Sequence, residues 1–95
     1  MRLIDAQKMH GEHPDTLAVP TPAALDAIRP GDCVKVAFED LAERMWILVE
    51  TVDAAGTITG TLDNDPVSEG IAFGDTVTLE PRNVLDILRE RSPMP

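Results

Sequence analysis

Tyrosine is absent from this 95-residue chain, phenylalanine occurs twice and tryptophan once. So few flat rings exclude the stacking platforms on which nucleic-acid bases are usually held. Basic residues are scarce as well: eight Lys and Arg stand against 17 Asp and Glu, a formal charge of −9. Binding to DNA, RNA or anionic lipid needs clustered cations, so the sequence predicts neither a nucleic-acid nor a membrane partner. One cysteine, Cys33, rules out an internal disulfide framework. It stands in an apolar run, where a small buried hydrophobe is the expectation. No apolar stretch nears the ~20 residues of a membrane span. The opening Met1-Arg2-Leu3-Ile4-Asp5 carries charge where a secretory leader needs an apolar segment. A soluble cytoplasmic protein in a reducing compartment is expected. No phosphate loop, dinucleotide fingerprint or Gly-x-Ser-x-Gly elbow occurs, so no cofactor is expected either.

What is present is enough for one small domain. Residues 1–20 show no sustained period and read as an arm or lead-in, with residues 21–95 forming the domain. Thr21 followed by Pro22 is an N-cap and first-turn pair, and Leu25 and Ile28 share one face, so a helix is predicted over 21–28. Pro30-Gly31 ends it. From residue 32 the period changes to two. Val34, Val36 and Phe38 alternate with Lys35, Ala37 and Glu39; Met45 to Val52 forms a longer strand; Ile58 to Leu62 and Thr76 to Leu79 follow. Asp53-Ala54-Ala55-Gly56 is a tight turn between two of these. Residues 84–91 fit either a fifth strand or a short helix.

Pro30-Gly31-Asp32 and Phe73-Gly74-Asp75 echo one another, each ahead of alternating apolar residues. A glycine turn feeding a strand is a device small barrels use repeatedly. The predicted fold is α+β and mainly β: a small SH3-like, partly open antiparallel β-barrel over about residues 32–88, with an N-terminal helix packed on it.

Three segments, Glu43-Arg44-Met45-Trp46-Ile47-Leu48-Val49, Gly60-Thr61-Leu62-Asp63-Asn64-Asp65-Pro66 and Phe73-Gly74-Asp75-Thr76-Val77, resemble the YegJ-like bacterial domain family of unknown function. The likeness spans about residues 30–88. It implies a bacterial domain with a common β-rich core, and carries over no catalytic residue.

Trp46 lies opposite the uniformly apolar Met45, Ile47 and Val49 and shares its face with Leu48, Glu50 and Val52. It is either a contact residue for a ligand or peptide, or a core residue covered by Leu25 and Ile28. The loops are the second candidate. Between Trp46 and Pro81 there are seven acids and no Lys or Arg. Antiparallel connectivity sends Glu39, Asp40, Glu43, Asp63, Asp65, Glu69 and Asp75 to one end of the sheet, against Arg44. Clustered like charges repel unless solvated, neutralised or bound to something positive. Asp63-Asn64-Asp65 before Pro66 reads first as an Asx-type turn; its spacing is wrong for an EF-hand. No metal ligand set is assigned. His10 and His13 have chelating spacing, but Gly11 and Pro14 argue against a helix there. Arg89 and Arg91 read either as complements to a helix end or as partners of the neighbouring Glu90.

The composition and motifs favour a non-enzymatic binding module over an enzyme. Its contact residues are read as Trp46, Glu43, Arg44, Asp63, Asn64 and Asp65, and a basic protein is the partner class. The alternative is a small enzyme or polar-ligand or metal-binding domain built on the Glu43/Arg44 and Asp63-Asn64-Asp65 loops. The expected state is a monomer or weak homodimer, the latter pairing through Val34–Phe38 as an exposed edge.

Overall fold

A computed structural model describes residues 3–12, 19–39, 44–64, 66 and 70–89. Five strands, β1 (Cys33–Ala37), β2 (Arg44–Val52), β3 (Ile58–Leu62), β4 (Thr76–Leu79) and β5 (Asp86–Leu88), form one antiparallel sheet in the order β4-β3-β2-β1-β5. The fold is mainly β and the sheet is not closed. Its edges are β4 and β5. The expectation that Val34–Phe38 is an exposed edge is therefore corrected: β1 is paired on both sides. The cause is the chain's last stretch. Pro81 stops β4, a single 3-10 turn (Pro81–Asn83) redirects the backbone, and residues 86–88 return as a strand on β1, not as a helix.

Alternation builds the core. Val34, Val36, Met45, Ile47, Val49, Ile58, Leu62, Val77 and Leu79 all point to one side and are buried, joined by Phe38 and Val84. Each aliphatic side chain removed from water contributes roughly 1.5–3 kcal/mol. The pattern slips once. A bulge between Val49 and Thr51 leaves Glu50 unpaired and sets Val52 opposite core-facing Ile58. Val52 therefore leaves the face of Trp46 and Leu48 to which strict alternation assigns it. Across from the bulge, Gly60 lies against β2 so closely that a β-carbon there would sit 2.1 Å from the Leu48 carbonyl oxygen. Only glycine lets the sheet coil at this point.

Two short helices flank the sheet. α2 (Pro22–Asp26) is capped as its sequence predicts, with the Thr21 hydroxyl accepting the Ala24 amide at 3.2 Å. Leu25 and Ile28 pack on the main core. α1 (Ala6–Glu12) has no counterpart in the sequence reading. Gly11, taken there as an argument against a helix, occupies its final turn with open space around it. Tertiary contact selects this helix over its weak propensity: Ala6 is buried with Ala37 and Leu85, and Leu3 and Ile4 bond to the end of β1. His13 lies outside the described residues.

The sequence echo is a structural one. In Arg29-Pro30-Gly31-Asp32 the Asp32 amide donates to the Arg29 carbonyl (3.1 Å) while its carboxylate accepts the Arg29 amide (3.2 Å). In Ala72-Phe73-Gly74-Asp75 the same two bonds measure 3.0 and 2.8 Å. Gly31 and Gly74 carry φ of 97° and 87°, the left-handed region that disfavours a side chain. Each Gly-Asp pair then grips one residue of the neighbouring strand by both its backbone groups: Gly31 and Asp32 hold Val49, and Gly74 and Asp75 hold Leu62.

Only the first turn is sealed. Asp32 is 2% exposed, and Arg89 Nη1 reaches its Oδ2 at 3.1 Å while the guanidinium also donates to the Ala27 and Ala24 carbonyls at 3.1 and 3.0 Å. Removing one partner of a buried pair strands the other charge, a loss reduced here because the Arg89 side chain is 45% exposed. Arg89→Met is expected to cost about 2–4 kcal/mol, read as a lower urea midpoint at unchanged m-value. A midpoint equal to the parent's would show that the clamp contributes nothing. Gly60→Ala is expected to cost about 1–3 kcal/mol or more by overpacking, measured the same way.

Candidate functional site

Residues directly opposite one another in an antiparallel pair share a face. The register of β5, β1, β2, β3 and β4 therefore lays out the side of the sheet away from the core in rows. One row runs Leu88, Cys33, Leu48, Thr61, Thr76; the next runs Asp86, Lys35, Trp46. Asp63 joins the second row, its amide donating to the Trp46 carbonyl at 2.9 Å. Leu88 is 53% and Leu48 37% exposed, and Cys33, Lys35 and Trp46 are half-buried. The result is an apolar strip bordered by Asp63, Asp86 and Glu50, all exposed.

Trp46 is not covered by the helix. Leu25 and Ile28 pack with Met45, Ile47 and Val49 on the other side of the sheet. Lys35, directly across from Trp46, places its ammonium 4.9 Å from the ring centroid, a cation–π contact worth about 0.5–1 kcal/mol at such a site. Below the ring the backbone is fixed by the loop after β3: the Asn64 side-chain oxygen accepts the Trp46 amide, and Asp63 takes the carbonyl. Trp46, Asp63 and Asn64 are thus brought together. Arg44 lies two residues before Trp46 at the start of β2, opposite Ala37, and is exposed. Glu43 and Asp65 lie outside the described residues.

Several acids prove to be turn-formers. Asp53 Oδ1 accepts the Ala55 and Thr57 amides at 2.9 Å each, and Asp75 takes Ala72. Of the acids predicted to gather at one end of the sheet, Glu39 follows β1 and Asp75 precedes β4, strands that are not neighbours, and Asp63 lies on the outer face beside Cys33. Asp40, Glu69 and the remaining loop acids lie outside the described residues. No three His, Cys, Asp or Glu side chains among the described residues are grouped as a metal would require. No helix there is long and apolar enough to cross a membrane.

A cleft of about 670 Å³ lies elsewhere, between α1 and the 3-10 turn, lined by Asp5, Lys8, Met9, Glu12, Glu39 and Arg82 among others. Its charges are of mixed sign and partly committed: Asp5 caps α1 through the Lys8 amide, and Arg82 pairs with Glu80 at 2.9 Å. Glu39 of the acidic group lines it, whereas Trp46, Arg44, Asp63 and Asn64 do not. No family model, curated protein or solved structure matches this chain.

Three contributors to the outer face escaped the sequence: Lys35, Cys33 and Leu88. For the first two a signal existed. With Val34 and Val36 inward, Cys33 and Lys35 must face out, which overrides the apolar-run argument for a buried thiol. Leu88 depends on which strand neighbours β1, a non-local fact. Cys33 Sγ lies 4.0 Å from Asp63 Oδ2. Burial, then the negative charges of Asp63 and Asp32, push its pKa above the ordinary thiol value, so the reactive thiolate is suppressed. Iodoacetamide should therefore modify the folded protein at pH 8 more slowly than a free thiol. Asp63→Asn should speed the reaction several-fold, because removing a nearby negative charge lowers the thiol pKa. Unchanged kinetics in that variant would deny the electrostatic contribution.

Proposed function

We propose that this chain is a non-enzymatic binding module whose contact surface is the outer sheet face around Trp46, extended by Arg44 at the start of β2 and by the loop residues Asp63 and Asn64. The observation that carries this is the register that sets exposed Leu48 and Leu88 in one row with Cys33, alongside Trp46. Aromatic side chains in partly desolvated apolar surroundings are the usual energetic centres of interfaces, and exposed aliphatic groups in a contiguous strip favour a partner over open water. The carboxylates at the border, on a chain of charge −9, favour a basic protein segment, with fast, salt-sensitive association.

The strand order supports the SH3-like reading of the barrel, since β1 is paired on both sides and a 3-10 turn links the two edge strands. The YegJ-like resemblance and the bacterial, cytoplasmic setting are part of the same proposal. An enzyme built on Arg44 and the Asp63-Asn64 loop is the weaker reading: the Asn64 oxygen is already committed to the Trp46 backbone, which removes one polar group from any small-molecule site.

Partner capture from a cell extract at low ionic strength, followed by titration of the captured protein against Trp46 fluorescence, tests the reading. Trp46→Ala and Leu48→Asp should each weaken binding by about 30-fold or more, the range of an interface centre. Added salt should weaken the parent's binding. Equal affinity in both variants would remove this face from consideration.

A further inference from the structure

We propose that the free edge of β4 is a docking site for an extended, arginine-bearing segment of a partner protein. The segment lies antiparallel to β4, with an apolar residue opposite Val77 and an arginine two positions later opposite Asp75. The molecule contains the template for this contact. β1 begins at the Gly31-Asp32 turn and β4 at the Gly74-Asp75 turn, and the two turns make the same hydrogen bonds to their own chains and to the strand beside them. The registers agree as well. Val34, two residues after Asp32, sits opposite Ile47, two before Val49; Val77, two after Asp75, sits opposite Gly60, two before Leu62. β1 with β2 is thus repeated by β4 with β3.

The repeat differs in one respect. The other side of β1 is occupied by β5, with Ile87 opposite Val34, and Arg89, two positions on, pairs with Asp32. Among the described residues, no strand lies on the other side of β4. The backbone is set up for one. Leu62 uses its amide and carbonyl toward Gly74 and Asp75 (2.8 Å each), so by antiparallel alternation Val77 and Leu79 bond to β3 while Thr76 and Thr78 direct their N–H and C=O groups outward. The equivalent positions on β1 show what those groups do when met: the Lys35 carbonyl accepts the Leu85 amide and the Ala37 carbonyl that of Ile4, both at 2.8 Å.

A cleft of about 290 Å³ lies along this edge, with Leu3, Phe38 and Ile71 facing Thr76–Thr78, and offers apolar walls to a side chain on the incoming strand. Phe73, 65% exposed, stands at the Asp75 end. β4 carries none of the usual protection against pairing: Thr-Val-Thr-Leu has no lysine, no proline and no bulge. Charge selects the occupant. A second copy would bring −9 against −9, whereas a segment carrying arginine meets the exposed Asp75 carboxylate. Strand addition supplies affinity through main-chain bonds and specificity through alternate side chains. This surface is separate from the outer face at Trp46 and stands on different residues.

The probe is a fluorescein-labelled synthetic peptide, Ser-Val-Thr-Ile-Thr-Arg-Gly, with a control in which Gln replaces Arg. Anisotropy with the full chain should show the arginine peptide binding about tenfold or more tightly than the control, as expected for one charge-assisted hydrogen bond. That preference should vanish on Asp75→Asn, whose side-chain oxygen still accepts the Ala72 amide. Thr78→Pro, which removes an outward N–H, should weaken both peptides, and Trp46→Ala should leave both unchanged. Backbone amide shifts should move at Thr76–Leu79. Equal binding of the two peptides to the parent would overturn the proposal, as would a preference that survives in Asp75→Asn. Binding lost in Trp46→Ala but kept in Thr78→Pro would move the peptide to the outer face and also overturn it. Sedimentation showing a dimer that Thr78→Pro dissolves would assign the edge to a second copy instead.

Discussion

A carboxylate sealed from water must be matched on every side, and Asp32 organises this molecule by being matched from three elements. Its main chain, with that of Gly31, holds Val49 of β2; its side chain takes the Arg29 amide at the end of α2; and Arg89, just past β5, closes the site. The elements it joins are weak alone. A five-residue helix is far below the length at which helices persist in water, and a three-residue strand has few ladder bonds to offer. Arg89 serves both, donating to the Ala27 carbonyl and to the Ala24 carbonyl, which also accepts the Ala27 amide, while anchoring the chain beyond β5. The two marginal elements therefore stand or fall together. Their common support is one ion pair whose acid is buried and whose base is half-exposed.

The second Gly-Asp turn shows that the turn itself does not need the clamp. Asp75 makes the same local bonds while exposed. What the arginine adds is burial of the acid and occupation of the adjacent strand edge. The covered flank of β1 and the open flank of β4 thus come from a single difference, the presence of β5 and Arg89 beside β1 and, among the described residues, of nothing comparable beside β4. An open edge is ordinarily an aggregation risk. Here the chain's surplus of acid opposes pairing between copies.

Those parts of the fold that depend on local chemistry were legible. Thr21-Pro22 named a helix start that the structure reproduces, and the alternation of Val34, Val36, Met45, Ile47, Val49, Ile58, Leu62, Val77 and Leu79 named the core before any strand was paired. The Gly-Asp echo was visible too, although its meaning required the hydrogen bonds. The misses share a cause. α1 exists because Ala6 is buried against Ala37 and Leu85; β1 is interior because residues 86–88 return to it; the bulge at Glu50 appears only when β2 meets β3. Each is a long-range event with no period of its own. Within the site, Trp46 could be read locally, whereas the bond from the Trp46 amide to the distant Asn64 side chain and the alignment of Leu88, Cys33 and Leu48 could not.

The distribution of acid also changes meaning once its bonds are known. Residues 32–95 carry a net charge of −8 and residues 1–31 of −1, which taken alone suggests a uniformly acidic sheet domain. Yet Asp32, Asp53 and Asp75 spend their oxygens on backbone amides within turns, where a carboxylate serves as a fixed acceptor. Asp63 and Glu50 stand around Leu48, Leu88 and Trp46 together with Asp86, whose Oδ1 also accepts the Ile87 amide at 2.8 Å. A strip of exposed apolar groups on a neutral protein would favour self-association through the same strip. Bordered by carboxylates, it disfavours its own copy by like-charge repulsion and stays open to a surface of opposite sign. Fold and selectivity therefore draw on the same residue type, and Asp86, which takes the Ile87 amide while bordering the strip, serves both.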